Sequence, residues 1–226
     1  MTGNAAAVSH PAKFNDAILK EINRMLGGAK TVLDPFAGTG RIHNLPVGRE
    51  TWGVEIEPEW ADMHPFTACG DFLRMQFPND VVPHAQFDAI ATSPAYANRM
   101  ADSYAGDKKG SARHTYRIAL DRPLSHNNSG GMQWGKSYRN FHIAAWRKAY
   151  DLVKPGGRLV LNIKDHVRKG KVVPVTMWHI ATLEAAGFEL SQAKDIPAPG
   201  NRHGANADLR VDFESVLLFR KTGGPA

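Results

Sequence analysis

The stretch "TSPAY" (92–96) holds groups suited to chemistry on an exocyclic amine. Such an amine is a poor nucleophile because its lone pair is conjugated into the ring. The Ser93 hydroxyl and the Pro94 carbonyl can accept the two amine hydrogens, which draws the nitrogen toward tetrahedral geometry and stabilises the positive charge that develops in a transfer reaction. Tyr96 can stack on the ring. Given such an amine as substrate, the stretch could prepare it for group transfer without a strong general base.

Three acidic residues follow other apolar runs: Asp34 in "DPFAGTG", Glu55 in "GVEIEPEW" and Asp71 in "CGDF". Gly38 and Gly40 can take positive φ and let a ligand approach the backbone, where free amides can hold a polar cofactor end. Glu55 lies roughly 20 residues beyond the glycines, the spacing of an acid that binds ribose hydroxyls. Asp71 can accept from an adenine amino group, and Phe72 can cover the ring. Each acid alone is more often a solvated strand cap, whereas three at successive strand ends indicate a nucleoside cofactor.

Strands and helices alternate through most of the chain. Short apolar runs predict strands at 30–34, 51–56, 65–71, 87–92, 157–164, 188–196 and 213–221. Helical spacing predicts helices at 137–153, at 173–187 and between the N-cap Asn15 and the stop signal Gly27. This alternation predicts an α/β fold with a mainly parallel sheet and helices on its faces, in which ligands bind outside the carboxyl ends of the strands. The candidate residues stand at those ends.

The composition limits the class of protein. The chain has 226 residues, 42% of them hydrophobic and 22% charged, which suits a single domain over 1–226. The net charge of +6 favours polyanionic partners. Cys69 is the only cysteine, so no internal disulfide can form, and the cytoplasm is the expected location. No stretch has the roughly 18 to 20 apolar residues of a membrane span, and the histidines lack metal-ligand spacing, so we expect neither a membrane nor a metal.

The motifs and their order resemble S-adenosylmethionine-dependent amino-methyltransferases of DNA, which methylate exocyclic amines of cytosine or adenine. The resemblance runs from about residue 10 to residue 221 and rests on "HPAKF" (10–14), "DPFAGTG", "GVEIEPEW", "GDF", "TSPAY", "VKPGGRLVLNIKDH" (153–166) and "ESVLLFRK". Small bacteriophage DNA methylases are also similar, in "SPAYANRMAD" and "NNSGGMQWG". The resemblance implies a Rossmann-like class I methyltransferase fold whose mainly parallel, seven-stranded sheet has its last strand antiparallel. It also implies S-adenosylmethionine as cofactor and DNA as partner.

The resemblance implies a role for each motif. Phe36 and the two glycines would line the methionine moiety with Asp34 near its amino end, Glu55 would hold the ribose, and Asp71 with Phe72 would hold the adenine. The full cofactor set is His10, Pro11, Lys13, Phe14, Asp34, Pro35, Phe36, Gly38, Gly40, Glu55, Asp71 and Phe72. The catalytic set is Ser93, Pro94 and Tyr96, with Tyr96 stacked on a flipped base. A serine at the first position is typical of relatives that make N4-methylcytosine, so cytosine is the expected base.

Two departures from the family pattern bear on activity. Ala95 stands where the family has a second proline, which leaves one N–H to satisfy and a less fixed carbonyl direction. After the glycines, "RIHNLPVGRE" (41–50) contains Pro46, which limits the usual long helix to a short one or none. The first departure puts methyl transfer at risk, and the second puts cofactor affinity at risk.

Two long irregular segments, at about 97–137 and about 195–212, are candidates for nucleic-acid contacts. Basic residues interleaved with aromatic ones suit phosphate contacts and base stacking. The candidate contacts are Arg99, Lys108, Lys109, Arg113, Arg117, Arg122, Lys136 and Arg202. Alternatively, the first segment is a solvated, partly disordered insertion.

Other functions stay open at the level of sequence. Adenine N6 methylation uses the same mechanism on another base. Related motifs also methylate RNA and protein glutamine, and a basic, aromatic insertion does not separate DNA from RNA. A DNA-binding protein with a decayed methyltransferase fold is the non-enzymatic alternative, motivated by Ala95 and the shortened segment after Gly40.

Overall fold

A computed structural model describes residues 15–96, 116–168, 170–199 and 207–222. Several predicted site residues lie outside these ranges: His10, Pro11, Lys13, Phe14, Arg99, Lys108, Lys109, Arg113 and Arg202. Arg117 lies in a described helix, but its side chain is not described. The predictions for these residues therefore stay predictions.

The described chain alternates strands and helices as the sequence pattern predicts. The strands are β1 (Thr31–Asp34), β2 (Glu50–Glu55), β3 (Thr67–Cys69), β4 (Phe87–Thr92), β5 (Val153–Ile163), β6 (His166–Arg168), β7 (Lys171–Val173), β8 (Phe188–Pro197) and β9 (Phe213–Lys221). The α-helices are α1 (Asp16–Leu26), α2 (Pro58–Ala61), α3 (Tyr116–Leu120), α4 (Lys136–Leu152) and α5 (Val175–Ala185). The hairpin of β6 and β7 and the short helices α2 and α3 were not predicted.

Seven of the strands form one sheet in the order β3-β2-β1-β4-β5-β9-β8. The pairs β2–β3, β1–β2, β1–β4 and β4–β5 are parallel, whereas β9 runs antiparallel to both β5 and β8. This topology confirms the predicted fold class, including the antiparallel strand at 213–221. Because β9 runs against its neighbours, its first residues lie at the same edge of the sheet as the carboxyl ends of β1, β4 and β5.

Helices cover both faces of the sheet, and successive strand residues alternate between them. Val32 packs with Ile22 of α1 in one buried cluster, while its neighbour Leu33 packs with Trp146 of α4 and Leu183 of α5 in another. A strand with both faces covered must be apolar at every position, because successive side chains point to opposite faces. The uninterrupted apolar runs in the sequence have this origin.

The helix α1 begins and ends where its sequence signals predict. The Asn15 side chain accepts a hydrogen bond from the amide of Ile18 at 2.8 Å, and Gly27 ends the helix with a φ of 54°. The segment after Gly40 forms only a single 3-10 turn, Arg41–Asn44. The prediction of a short helix or none in this segment is thereby confirmed.

Candidate active site

A cavity of about 750 Å³ lies at the carboxyl ends of the parallel strands. It brings together most of the described residues that the sequence singles out. These are Asp34, Pro35, Phe36, Gly38, Glu55, Asp71, Phe72, Ser93, Pro94 and Tyr96. The edge of the sheet thus unites the acidic strand ends with the "SPAY" stretch in one pocket.

Glu55 ties the loop after β1 to the end of β2. Its carboxylate accepts hydrogen bonds from the amide of Gly38 at 2.8 Å and from the amide of Glu57 at 2.9 Å. Burial raises the pKa of Glu55 to about 7, even though both amides favour the charged form. The glycine loop is therefore held by a carboxylate that is only 7% exposed and lines the cavity.

Asp34 is buried at the end of β1. One carboxylate oxygen, Oδ1, accepts both from the Thr92 hydroxyl at 2.6 Å and from the Phe36 amide at 3.0 Å. Burial raises its pKa to about 7, against the lowering effect of these two hydrogen bonds. A cationic ligand next to this carboxylate would favour its ionised form, because opposite charges attract strongly where water is excluded.

Asp71 and Phe72 follow β3 and form another wall of the cavity. Asp71 accepts from its own loop at the Leu73 amide, at 2.9 Å, and from the Asn127 side chain at 3.0 Å. Phe72 is only 3% exposed and meets Phe36 edge to face, with ring centroids 5.8 Å apart. The Phe36 and Phe72 rings therefore make an apolar wall between Asp34 and Asp71.

Gly40 is an exception among the predicted cofactor residues, because it does not line the cavity. It takes a φ of 74° ahead of the 3-10 turn, and a Cβ atom there would lie 2.9 Å from the His43 ring and 3.0 Å from His64 Cβ. The prediction that Gly40 lines the methionine moiety stays a prediction. The glycine is required by the backbone conformation and by the two stacked histidine rings beside it.

A polar cluster not predicted from the sequence surrounds Ser93. Asn162 Nδ2 of β5 lies within hydrogen-bond distance of three acceptors, Ser93 Oγ at 3.2 Å, Tyr96 Oη at 3.2 Å and Glu214 Oε2 at 2.7 Å, and its two hydrogens can serve two of them at a time. The Tyr96 hydroxyl donates to the same Glu214 oxygen at 3.1 Å and lies 3.1 Å from Ser93 Oγ. The sequence offers one signal that Asn162 has a special role, because it is a polar residue inside the apolar run "LVLNI".

The cluster leaves Ser93 as an acceptor toward the cavity. The Tyr96 proton is given to Glu214, so Tyr96 Oη accepts the Ser93 proton. Ser93 Oγ then keeps at least one lone pair, whether or not Asn162 donates to it. A hydroxyl in this state accepts a hydrogen bond from an amine and cannot donate to it.

The described part of the basic segment packs against the acidic side of the cavity. Glu57 is fully buried and accepts from the Ser125 amide at 2.8 Å and from the Asn128 side chain at 2.7 Å. Arg122 pairs with Glu57 at 2.7 Å and with Glu59 at 2.5 Å. These contacts place Asn127 and Asn128 in the cavity wall.

The two described cations of the predicted nucleic-acid set have different surroundings. The Arg122 guanidinium is compensated by two carboxylates, so a phosphate contact would require it to leave them. The structure shows an internal role for Arg122, and its predicted nucleic-acid contact stays a prediction. Lys136 is exposed at the start of α4, where the helix dipole disfavours a cation. A lysine at position 136 therefore does not serve to stabilise α4.

Among residues 15–96, 116–168, 170–199 and 207–222, no group of three or more histidine, cysteine or acidic side chains is arranged to hold a metal ion. Within the same ranges, no helix has the length and apolar character needed to cross a bilayer.

Comparisons with known proteins identify the fold. No protein-family model and no curated protein matches the chain. A methyltransferase from Pyrococcus furiosus is similar in structure, with a TM-score of 0.52 and 15% identity over 95% of this chain and 87% of that one. The cyclase SpnF has a TM-score of 0.52 and 15% identity over 96% and 87%. For TrmN from Thermus thermophilus the TM-score is 0.48 at 16% identity over 96% of this chain, which spans 51% of the TrmN length.

The strand order and the likeness to the Pyrococcus furiosus methyltransferase define a Rossmann-like class I methyltransferase fold. The cyclase SpnF and a methyltransferase both have structures similar to this one, so proteins of this fold differ in the reaction they catalyse. The reaction must therefore be inferred from the chemistry of the site.

Proposed function

We propose that this protein transfers a methyl group from S-adenosylmethionine to an exocyclic amino group in DNA, with N4 of cytosine as the target atom. One observation carries the proposal: a single strand-end cavity holds Asp34, Glu55 and Asp71 together with the Ser93 and Pro94 acceptors. The acids suit the cofactor, and the acceptors suit an amine.

The acidic half of the cavity matches the chemistry of S-adenosylmethionine. Glu55 offers carboxylate oxygens to the ribose hydroxyls, and Asp71 offers an oxygen to the adenine amino group. Asp34 provides negative charge for a cofactor that carries a positive sulfonium and an ammonium group. The rings of Phe36 and Phe72 offer an apolar surface. The positive groups of the cofactor would thus offset part of the buried negative charge around Asp34.

The other half of the cavity is arranged to prepare an amine for transfer. Ser93 Oγ and the Pro94 carbonyl would accept the two amine hydrogens. The nitrogen then becomes more tetrahedral, and its lone pair is no longer conjugated with the ring. Bound S-adenosylmethionine would supply the methyl group: the nitrogen lone pair would form the new bond to the methyl carbon, and the carbon–sulfur bonding pair would stay on sulfur. The methylated nitrogen would then lose its extra proton to water. The acceptors stabilise the positive charge that arises on nitrogen in between.

The proposal of DNA as substrate rests on the charge and the rings near the cavity. Val167 lines the cavity, and its neighbour Arg168 is exposed on the β6–β7 hairpin. Exposed Arg139 holds its guanidinium 5.0 Å from the Trp134 ring. The Trp134 ring lies 6.1 Å from the ring of His166, which lines the cavity. Cations and rings near a cavity suit phosphate contacts and a base withdrawn from its stack. We extend the proposal to one domain over 1–226, with about 97–137 and 195–212 contacting DNA.

Incubation with S-adenosylmethionine and mixed-sequence duplex DNA, followed by nuclease digestion and mass spectrometry of the nucleosides, tests the proposal. We expect N4-methylcytosine. N6-methyladenine would retain the mechanism and correct the base. Methylation of RNA alone would overturn the assignment to DNA, and cofactor binding without methylation of any nucleic acid would support a decayed enzyme.

A further inference from the structure

The Ala95 carbonyl, in the position where the resembled family has a second proline, is held by a buried tyrosine. The Tyr138 hydroxyl of α4 donates to this oxygen at 2.9 Å. Tyr138 is 0% exposed, and its ring lies against those of Trp134 and His142, with centroids 5.2 Å and 4.1 Å away. The hydroxyl therefore reaches the "SPAY" stretch from a fixed position in the core.

The Tyr138 hydroxyl is itself oriented by two further buried side chains. The Trp146 indole N–H donates to His179 Nδ1 at 3.0 Å, and His179 Nε2 lies 3.1 Å from Tyr138 Oη. An indole can only donate, so Nδ1 is an acceptor and the proton of the neutral ring is on Nε2. His179 then donates to Tyr138, and the tyrosine proton is directed to Ala95. Burial lowers the pKa of His179 well below its ordinary range, which keeps the ring neutral.

We propose that Tyr138, oriented by His179 and Trp146, is a positioning residue that fixes the catalytic loop where a second proline is absent. A proline limits φ of its own residue, whereas a hydrogen bond to the carbonyl limits rotation of the following peptide plane. Pro94 already fixes φ on the other side of Ala95. The Pro94 carbonyl, an acceptor for the amine, thus belongs to a segment restrained at both ends. This inference rests on the proposed function.

A spectroscopic test reports on the carbonyl without any assay of activity. Of the five tyrosines, only Tyr96 and Tyr150 follow an alanine. Full-length protein labelled with carbonyl carbon-13 alanine and nitrogen-15 tyrosine therefore gives one carbonyl-to-amide peak for Ala95 and one for Ala149. In Tyr138→Phe the Ala95 carbonyl should move to lower frequency, because it loses a hydrogen bond, while Ala149 stays in place. An unmoved Ala95 peak, or equal movement of both, would overturn the proposal.

A kinetic test uses a matched tyrosine on the same helix. The Tyr150 hydroxyl also donates to a backbone carbonyl, that of Thr222 at 3.3 Å, away from the cavity. We expect Tyr138→Phe to lower kcat by about 5- to 10-fold, the equivalent of one hydrogen bond, with cofactor Kd and KM for DNA within about twofold. Tyr150→Phe should keep kcat within about twofold. Equal losses in both variants, or a loss in cofactor affinity alone, would contradict positioning.

Two His179 variants test whether His179 orients the Tyr138 hydroxyl, even if Tyr138→Phe folds poorly. Glutamine at 179 can accept from Trp146 and donate to Tyr138, so His179→Gln should keep kcat within about threefold. His179→Leu can do neither and should lose about fivefold. Equal kcat values in the two variants would overturn the proposal that His179 orients the Tyr138 hydroxyl. If wild-type protein methylates no nucleic acid, the proposed function fails, whereas the Ala95 peak still decides whether Tyr138 holds the carbonyl.

Discussion

The Glu55 carboxylate accepts a hydrogen bond from the Gly38 amide over 2.8 Å, which joins the end of β2 to the loop after β1. The same carboxylate accepts from the Glu57 amide through its other oxygen, at 2.9 Å. Both oxygens are thus occupied by backbone donors while they line the cavity.

Glu55→Gln should weaken cofactor binding. A glutamine must present its NH₂ group to one of the two amide donors, so one hydrogen bond is lost and the ribose loses a charged acceptor. We expect the Kd for S-adenosylmethionine to rise about 10- to 100-fold, as for hydrogen bonds to charged groups. Titration calorimetry measures the change. Glu50→Gln, at the exposed start of the same strand, is the matched control, and equal weakening in both variants would exclude a ribose contact.

Asp34→Asn should stabilise the cofactor-free protein at neutral pH. Because burial raises the pKa of Asp34 from an ordinary 3.8 to about 7, the folded state retains a proton that the unfolded state loses. Stability from this group therefore falls as the pH rises from about 4 to about 7. Asparagine keeps the oxygen that accepts from Thr92 and Phe36 but has no charge. We expect roughly 1 kcal/mol or more of extra free energy of unfolding at about pH 8, and none at about pH 4.

Urea unfolding at the two pH values measures the Asp34→Asn effect. Asp80→Asn, at an exposed position between β3 and β4, is the control. A stability difference for Asp34→Asn that does not grow with pH would show that the carboxylate is ionised in the folded protein.

Tyr96→Phe separates the hydroxyl of this residue from its ring. Phenylalanine can stack on a base, but the Ser93 proton loses its acceptor and can then point at the amine. We expect kcat to fall by about 10-fold, and by more in Tyr96→Ala, where stacking is also lost. Cofactor affinity should change little in either variant. Single-turnover methylation and calorimetry provide both quantities, and a parallel loss of cofactor affinity would contradict the role.

Arg122→Ala should loosen the wall of the cofactor half. The substitution removes the cation that compensates buried Glu57, although Ser125 and Asn128 still donate to it. We expect the free energy of unfolding to fall by about 1 to 3 kcal/mol and cofactor binding to weaken. Arg24→Ala, which breaks an exposed pair with Glu21, should leave both unchanged. Undiminished cofactor affinity in Arg122→Ala would show that Arg122 is not needed to hold this wall of the cavity.

Lys136→Ala should weaken DNA binding without destabilising the protein. Lysine at the start of α4 is disfavoured by the helix dipole, so its removal should not lower the melting temperature. If it contacts a phosphate, the slope of log affinity against log salt concentration should decrease by about 1. Lys20→Ala, on the exposed face of α1, should keep the slope. Fluorescence anisotropy at several salt concentrations gives both slopes.

The sequence predicts the central strands well because each is apolar throughout and ends in a recognisable polar residue. The chemistry of Asp34, Glu55 and Ser93 is visible for the same reason, since parallel strands bring their carboxyl ends to one edge. Glu214 is different, because it stands at the start of a strand. Only the antiparallel direction of β9 brings it to that edge, and this direction is not encoded in local residue types.

The role of Arg122 also depends on contacts between residues far apart in the chain. Its partner Glu59 is 63 positions away, so a basic residue in a polar segment looks the same whether it binds a phosphate or a buried carboxylate. The β6–β7 hairpin has strands of only three residues each, too short for a period of two to be evident.

The contacts within the cavity differ in how far apart their residues lie along the chain. Gly38 and Glu55 are separated by 17 positions, whereas Ser93 and Asn162 are separated by 69, and Asn162 and Glu214 by 52. Closing a longer loop costs more conformational entropy. Long-range contacts also hold the cofactor half, because Thr92 and Asp34 are 58 positions apart and Asn127 and Asp71 are 56 apart. Both halves of the cavity therefore depend on distant parts of the chain coming together, and a short fragment of the chain would keep neither.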